Sequence, residues 1–163
     1  MESRAKLAGH AAHQILIVFP LGLLATSVIF DVVYLFNDSP NMLIVSYWMI
    51  TAGVISGLLA AVPGWIDWFA IPASTRAKKI GLYHGIGNVI TLVLFGIGWL
   101  LRTGEPGYKP SLLALACSFL AFVLIGVTGW MGGELVDRLG VGIDDNANLN
   151  APNSLSGRPA AAK

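Results

Sequence analysis

Residues 111–136 read SLLALACSFLAFVLIGVTGWMGGELV, and no charged side chain occurs in that stretch before Glu134. A helix rises 1.5 Å per residue, so about 20 consecutive apolar residues cross the roughly 30 Å hydrocarbon core of a bilayer. The stretch is long enough to span, and 15–36, 42–69 and 80–101 match it in length and character. Composition agrees: of 163 residues, 55% are hydrophobic and 12% charged, where a soluble domain carries about a quarter charged residues. Mean hydropathy is +0.71. The breaks between runs carry turn chemistry, Asn37-Asp38-Ser39-Pro40 and Thr103-Gly104-Glu105-Pro106-Gly107, and Pro72 followed by Arg76, Lys78 and Lys79 closes the second run and opens the third. Short connections make consecutive helices antiparallel neighbours. The expected fold is all-α, a polytopic membrane protein built as an antiparallel four-transmembrane-helix bundle over residues 1–139, with a polar tail at 140–163.

A net charge of +1 offers no basic excess for nucleic acid. The single cysteine, Cys117, lies inside an apolar run, which excludes an intrachain disulfide and a Cys-rich metal motif. No nucleophile–base arrangement, phosphate loop or nucleotide fingerprint is present, so soluble-type enzymology is not expected. The tail is rich in Asn, Ala, Pro and Ser and is expected either to be disordered or to lie against a partner. No internal repeat is convincing in the sequence alone. The charged start, 1–9, is expected to be a retained anchor, because the small-residue stretch Ala25-Thr26-Ser27 lies in a run that continues well past it.

Cations set the orientation. Arg4, Lys6, Arg76, Lys78, Lys79, Arg138, Arg158 and Lys163 fall on one side of the four-span map, and Arg102 and Lys109 on the other. Positive residues in short loops stay in the cytoplasm, so both termini are expected there.

Ionisable groups at membrane depth cost about 2.5–3.5 kcal/mol each at a helix centre on insertion scales, and each calls for a partner or a role. Counting depth along antiparallel spans places His10, His13, Asp67, His84 and Glu134 in one layer at the inner end. His10/His13 and Glu134/Asp137 share helix faces at i, i+3, and His84/Asn88 at i, i+4. Three readings stay open. The five residues hold a transition metal, imidazole with carboxylate suiting Zn, Cu, Mn or Fe; or His84 with His13 or His10 ligates haem b; or Asp67 and Glu134 pair with His, Arg76, Lys78 or Lys79 and close the bundle. Asp31 stands apart near the outer end, as a proton relay or as a cap for polar groups near Asn37 and Tyr47. Gly53/Gly57, Gly81/Gly85 and Gly129/Gly133 are small-xxx-small pairs suited to helix packing, with room for a porphyrin or quinone ring as the alternative at Gly85 and Gly129. Pro20 and Pro63 are expected to kink the first two spans. Trp65, Trp68, Trp99 and Trp130 are expected to anchor at the interfaces.

Several separated motifs agree in order with a known family. Gly9-His10 with His13, Ile17-Val18-Phe19-Pro20-Leu21-Gly22, Asp31, Gly64-Trp65-Ile66-Asp67-Trp68, His84-Gly85 with Asn88, and Gly129-Trp130 with Gly132-Gly133-Glu134-Leu135 resemble the DUF2231 family of bacterial membrane proteins over residues 5 to 150. Ala11 and Gln14 stand where the family usually has prolines. The resemblance implies a bacterial inner-membrane location but no activity; similar domains stand beside or are fused to cytochrome and iron–sulfur domains. The expected function is a haem- or metal-binding redox module embedded in the lipid bilayer, with redox partner subunits or a homo-oligomer as its company. The rivals are an accessory subunit that docks on a larger membrane complex and a proton or small-solute channel.

Overall fold

The structure is a computed structural model that describes residues 1–161. The chain begins with a short antiparallel ribbon, β1 (Lys6–Leu7) and β2 (His10–Ala11), turned through Ala8 and Gly9 at positive φ. The first span is divided into α1 (Ala12–Leu16) and α2 (Val18–Asn37). Pro20 explains the division: it has no amide to offer the Leu16 carbonyl, and its ring crowds that carbonyl. Then follow α3 (Pro40–Ala70), α4 (Arg76–Arg102) and α5 (Leu112–Gly133), the last extended by a π-helical turn, Glu134–Arg138. Four segments are long and apolar enough to cross a membrane: Ala12–Asn37, Pro40–Ala70, Arg76–Arg102 and Leu112–Arg138. The chain passes through Pro63 without leaving α3.

The boundaries follow from local chemistry. Asp38 ends α2 in the left-handed conformation, and Pro40 opens α3 where a helix needs no amide hydrogen. Thr75 and Ser111 cap α4 and α5 by accepting from the amides of Lys78 and Ala114. Helices α2 and α3 pack as one hairpin and α4 and α5 as another, and the two hairpins close a bundle with both termini at one end. At the far end the interior is filled by Leu24, Val28, Ile50, Phe95 and Ala121. At the termini end a smaller cluster, Ile71, Ala77 and Leu135, packs against Leu139 and Val141. Large apolar side chains such as Phe36, Phe69 and Leu112 face outward, a surface that suits lipid and not water.

The tail is not loose. It lies over the amino-terminal segment of its own chain, with Gly142 N–H donating to Met1 O, Asp145 N–H to Glu2 Oε1, and Lys6 Nζ bridging Glu2 and Asp144 at 2.9 and 2.6 Å. The two segments together form a strap across the termini end.

Candidate cofactor site

His13 enters the bundle one residue after α1 begins. Its Nδ1 donates to the Ala60 carbonyl of α3 at 2.8 Å. A carbonyl only accepts, so Nδ1 carries the proton and Nε2 a lone pair. That Nε2 makes no hydrogen bond among the described residues. Gly64 makes room for the ring, since a Cβ there would stand 2.8 Å from His13 Nδ1. His84, on α4, is held in the same manner: Nδ1 donates to the Thr128 carbonyl of α5 at 2.9 Å, and a Cβ on Gly132 would stand 3.2 Å from its Cε1. Asn88, one turn along α4, donates from Nδ2 to His84 Nε2 at 3.0 Å. The two imidazole centres are 6.2 Å apart with planes at 88°.

Both rings line a partly enclosed cavity of about 410 Å³ in the termini half of the bundle. All four spans contribute to its walls, which are overwhelmingly apolar. Such a volume lies within the ordinary range for small-ligand sites, about 300–1,000 Å³. The glycines divide by role. Gly53 meets Leu24, which is packing; Gly57, Gly81 and Gly85 meet Leu92, Trp68 and Trp65 and line the cavity as well. Gly129 and Gly133 also line it and have nothing within 4 Å of where a Cβ would stand, so at these two positions of α5 the small residue leaves open space. Trp65 also lines the cavity, whereas an interfacial anchor was the expectation from sequence; Trp130 remains exposed.

The inner polar layer expected from depth counting separates into three constellations. His13, His84 and Asn88 form the first. His10 does not join them, because the helix starts only at Ala12: His10 lies exposed on β2, its Nδ1 on the Ala8 carbonyl. Asp67 forms the second with the amino-terminal segment, accepting from Ser3 Oγ (2.7 Å) and the amides of Arg4 (2.6 Å) and Ala5 (3.2 Å). Glu134 forms the third, an ion pair with Arg76 at 2.7 Å, which is the headgroup-boundary pairing expected as one alternative. Among the described residues no group of three or more His, Cys, Asp and Glu gathers.

Asp31 is neither near Asn37 nor a cap for Tyr47. It receives both terminal nitrogens of Arg102, at 2.8 and 2.6 Å, with Ser46 and Ser118 beside the guanidinium. Both side chains are wholly buried. Arg102 lies one residue past the span expected at 80–101, so hydropathy did not reveal this pair; the signal that could have found it is that Arg102 ends α4 at the depth Asp31 occupies on α2. Also missed were the Ala60 and Thr128 carbonyls, which no side-chain pattern announces.

Compared with known proteins, the chain matches one family model, described as "Predicted membrane protein (DUF2231)", over residues 9–145. No curated protein and no solved structure matches.

Proposed function

The chain belongs to the DUF2231 family of predicted membrane proteins, and we propose that this member is a haem-binding redox module whose iron ligand is His13 Nε2. One observation carries the reading: an imidazole fixed through Nδ1 to a helix carbonyl, its Nε2 without a hydrogen bond among the described residues, lines an apolar cavity inside the bundle. Ligating histidines characteristically donate their other ring N–H to a carbonyl or carboxylate, which sets tautomer and orientation before the metal arrives. The donor set favours haem over a bare ion. A zinc site takes three or four protein ligands, whereas haem brings four nitrogens of its own and asks the protein for one or two. When bound, haem supplies one-electron chemistry; the protein's residues orient it, exclude water and close the strap over it.

The orientation reading goes with this one. Arg4, Lys6, Arg76, Lys78, Lys79 and Arg138 lie at the termini end, while at the far end Arg102 is engaged by Asp31 and Lys109 is exposed. That imbalance favours a cytoplasmic termini end in a bacterial inner membrane.

A second reading is an uncharged quinone ring. Asp67 is the one charged residue of the lining, and its oxygens are taken by the amino-terminal segment, so nothing there answers the propionates of a haem. The test is titration of detergent-purified protein with hemin, followed by absorption spectroscopy and iron analysis. A saturable Soret band, shifted and weakened in His13→Ala and unchanged in His10→Ala, is the expected result. No saturable band in the wild type would overturn the haem reading in favour of the quinone.

A further inference from the structure

Each half of the chain carries the same device. In the first, an imidazole of the first span donates Nδ1 to a carbonyl of the next helix, Ala60, with glycine one turn further at Gly64. In the second, an imidazole of the third span donates Nδ1 to a carbonyl of the next helix, Thr128, with glycine one turn further at Gly132. The correspondence runs the length of the bundle. Asp31 and Arg102 are 71 residues apart and bond to each other; His13 and His84 have the same separation, and so do Leu24 and Phe95, which share the core cluster. The first and third spans run in the same direction, so the hairpins are related by rotation about an axis along the bundle, and mated residues meet across it. The departures are local, with Asp31 facing Arg102 and Asn88 attached to His84 alone.

From this juxtaposition we infer that His13 and His84 ligate a single haem iron from opposite sides through Nε2, making it six-coordinate. The inference rests on the haem reading and goes beyond it by assigning both axial positions. Distance supports it. A metal–imidazole bond of about 2.0 Å, plus roughly 1.1 Å from nitrogen to ring centre, places two opposed rings on one metal about 6 Å apart. The centres here are 6.2 Å apart. Each Nδ1 is tied to a different wall helix, α3 for His13 and α5 for His84, and both rings line the same cavity. Ligation at His84 requires the Asn88 amide to turn aside from Nε2, an adjustment His13 does not need. With both axial positions filled by protein, the iron would have no vacant coordination site, an arrangement suited to electron transfer.

The test uses hemin as the probe on the full chain in detergent, read by electron paramagnetic resonance and resonance Raman. The wild type is expected to be six-coordinate and low-spin. His13→Ala and His84→Ala are each expected to bind more weakly and to turn five-coordinate and high-spin, with added imidazole restoring the low-spin signature. His13→Gln and His84→Gln, which keep a hydrogen-bonding side chain in each position, guard against loss of fold, and His10→Ala should match the wild type. If hemin binds saturably and the wild type is high-spin, or either single variant keeps the wild-type low-spin spectrum, the two-imidazole assignment is wrong while the haem reading stands. If hemin does not bind saturably at all, both fall.

Discussion

Asp31 and Arg102 share two hydrogen bonds in a site that excludes solvent completely. The pair joins the first span to the third, and each charge would be untenable alone. Removing one partner of a buried pair leaves an uncompensated ion and costs about 3–5 kcal/mol, whereas replacing both by apolar groups is often neutral. Asp31→Asn should therefore unfold far more readily than wild type in a denaturation series, and Asp31→Leu with Arg102→Met should recover most of that loss. A double variant no more stable than Asp31→Asn would mean that the pair does more than neutralise itself. Asn88 presents the opposite case. Among the described residues its amide makes one hydrogen bond, to His84 Nε2, with a net worth of about 1 kcal/mol. Asn88→Ala should fold with a small loss of stability and bind hemin at least as tightly as wild type, because His84 no longer has to release a partner; weaker binding would place Asn88 among the groups that hold the ligand.

At the scale of the helix, the glycines differ in what an added methyl would meet. Gly64 lies against the His13 ring, and an added methyl would force the ring off the Ala60 carbonyl. Overpacking of this kind costs about 1–3 kcal/mol. Gly64→Ala should lower the unfolding midpoint and weaken hemin binding together. Gly133→Ala adds its methyl where nothing stands within 4 Å; it should leave the midpoint near wild type and narrow only the cavity, so that loss of binding without loss of stability is the expected pattern. Equal destabilisation of the two variants would show that α5 is packed at Gly133 after all. The break between α1 and α2 serves the same site. Pro20 separates a five-residue helix carrying His13 from the long span behind it, so the imidazole's position is set by the ribbon and the break as well as by the membrane-spanning helix.

At the scale of the molecule, the strap couples the two ends of the chain by charge. The hydrogen bond from the Lys6 ammonium, then that from the Asp145 amide, then the Lys6 charge hold the Glu2 carboxyl below its ordinary value of 4.5. The Asp144 carboxylate, then Glu2, holds Lys6 above its ordinary 10.5. A lowered carboxyl contributes stability present above its ordinary value and lost as pH falls through the lowered one; a raised ammonium contributes stability present below its ordinary value and lost as pH rises through the raised one. The strap is thus held across the neutral range and loosens at both extremes. Spin labels at the exposed Leu7 and Leu149 should separate on acidification, and Lys6→Met should abolish that response by loosening the strap at every pH; an unchanged response in Lys6→Met would remove the ion pairs from the account. Fusion reporters at the carboxyl terminus and in the loop at 103–108 should report opposite sides of the membrane, the former cytoplasmic, and reporters on the same side would refute a four-span path. The sequence alone determined the number of spans, their approximate limits, the turn and start residues between them and the family. Those signals are local: hydropathy adds up along a single helix, and Pro40 or the Thr103–Gly107 turn acts on its immediate neighbours. Depth along the axis was also legible, which is why His13 and His84 were placed at one level. What the tertiary structure decided is direction around the axis and the partner met there. Asp31 finds Arg102 and not Asn37, and Asp67 finds the amino-terminal amides and not a histidine, because these contacts join segments more than sixty residues apart. Which face of a helix meets which neighbour depends on how all four helices cross, a collective property that no window of sequence contains.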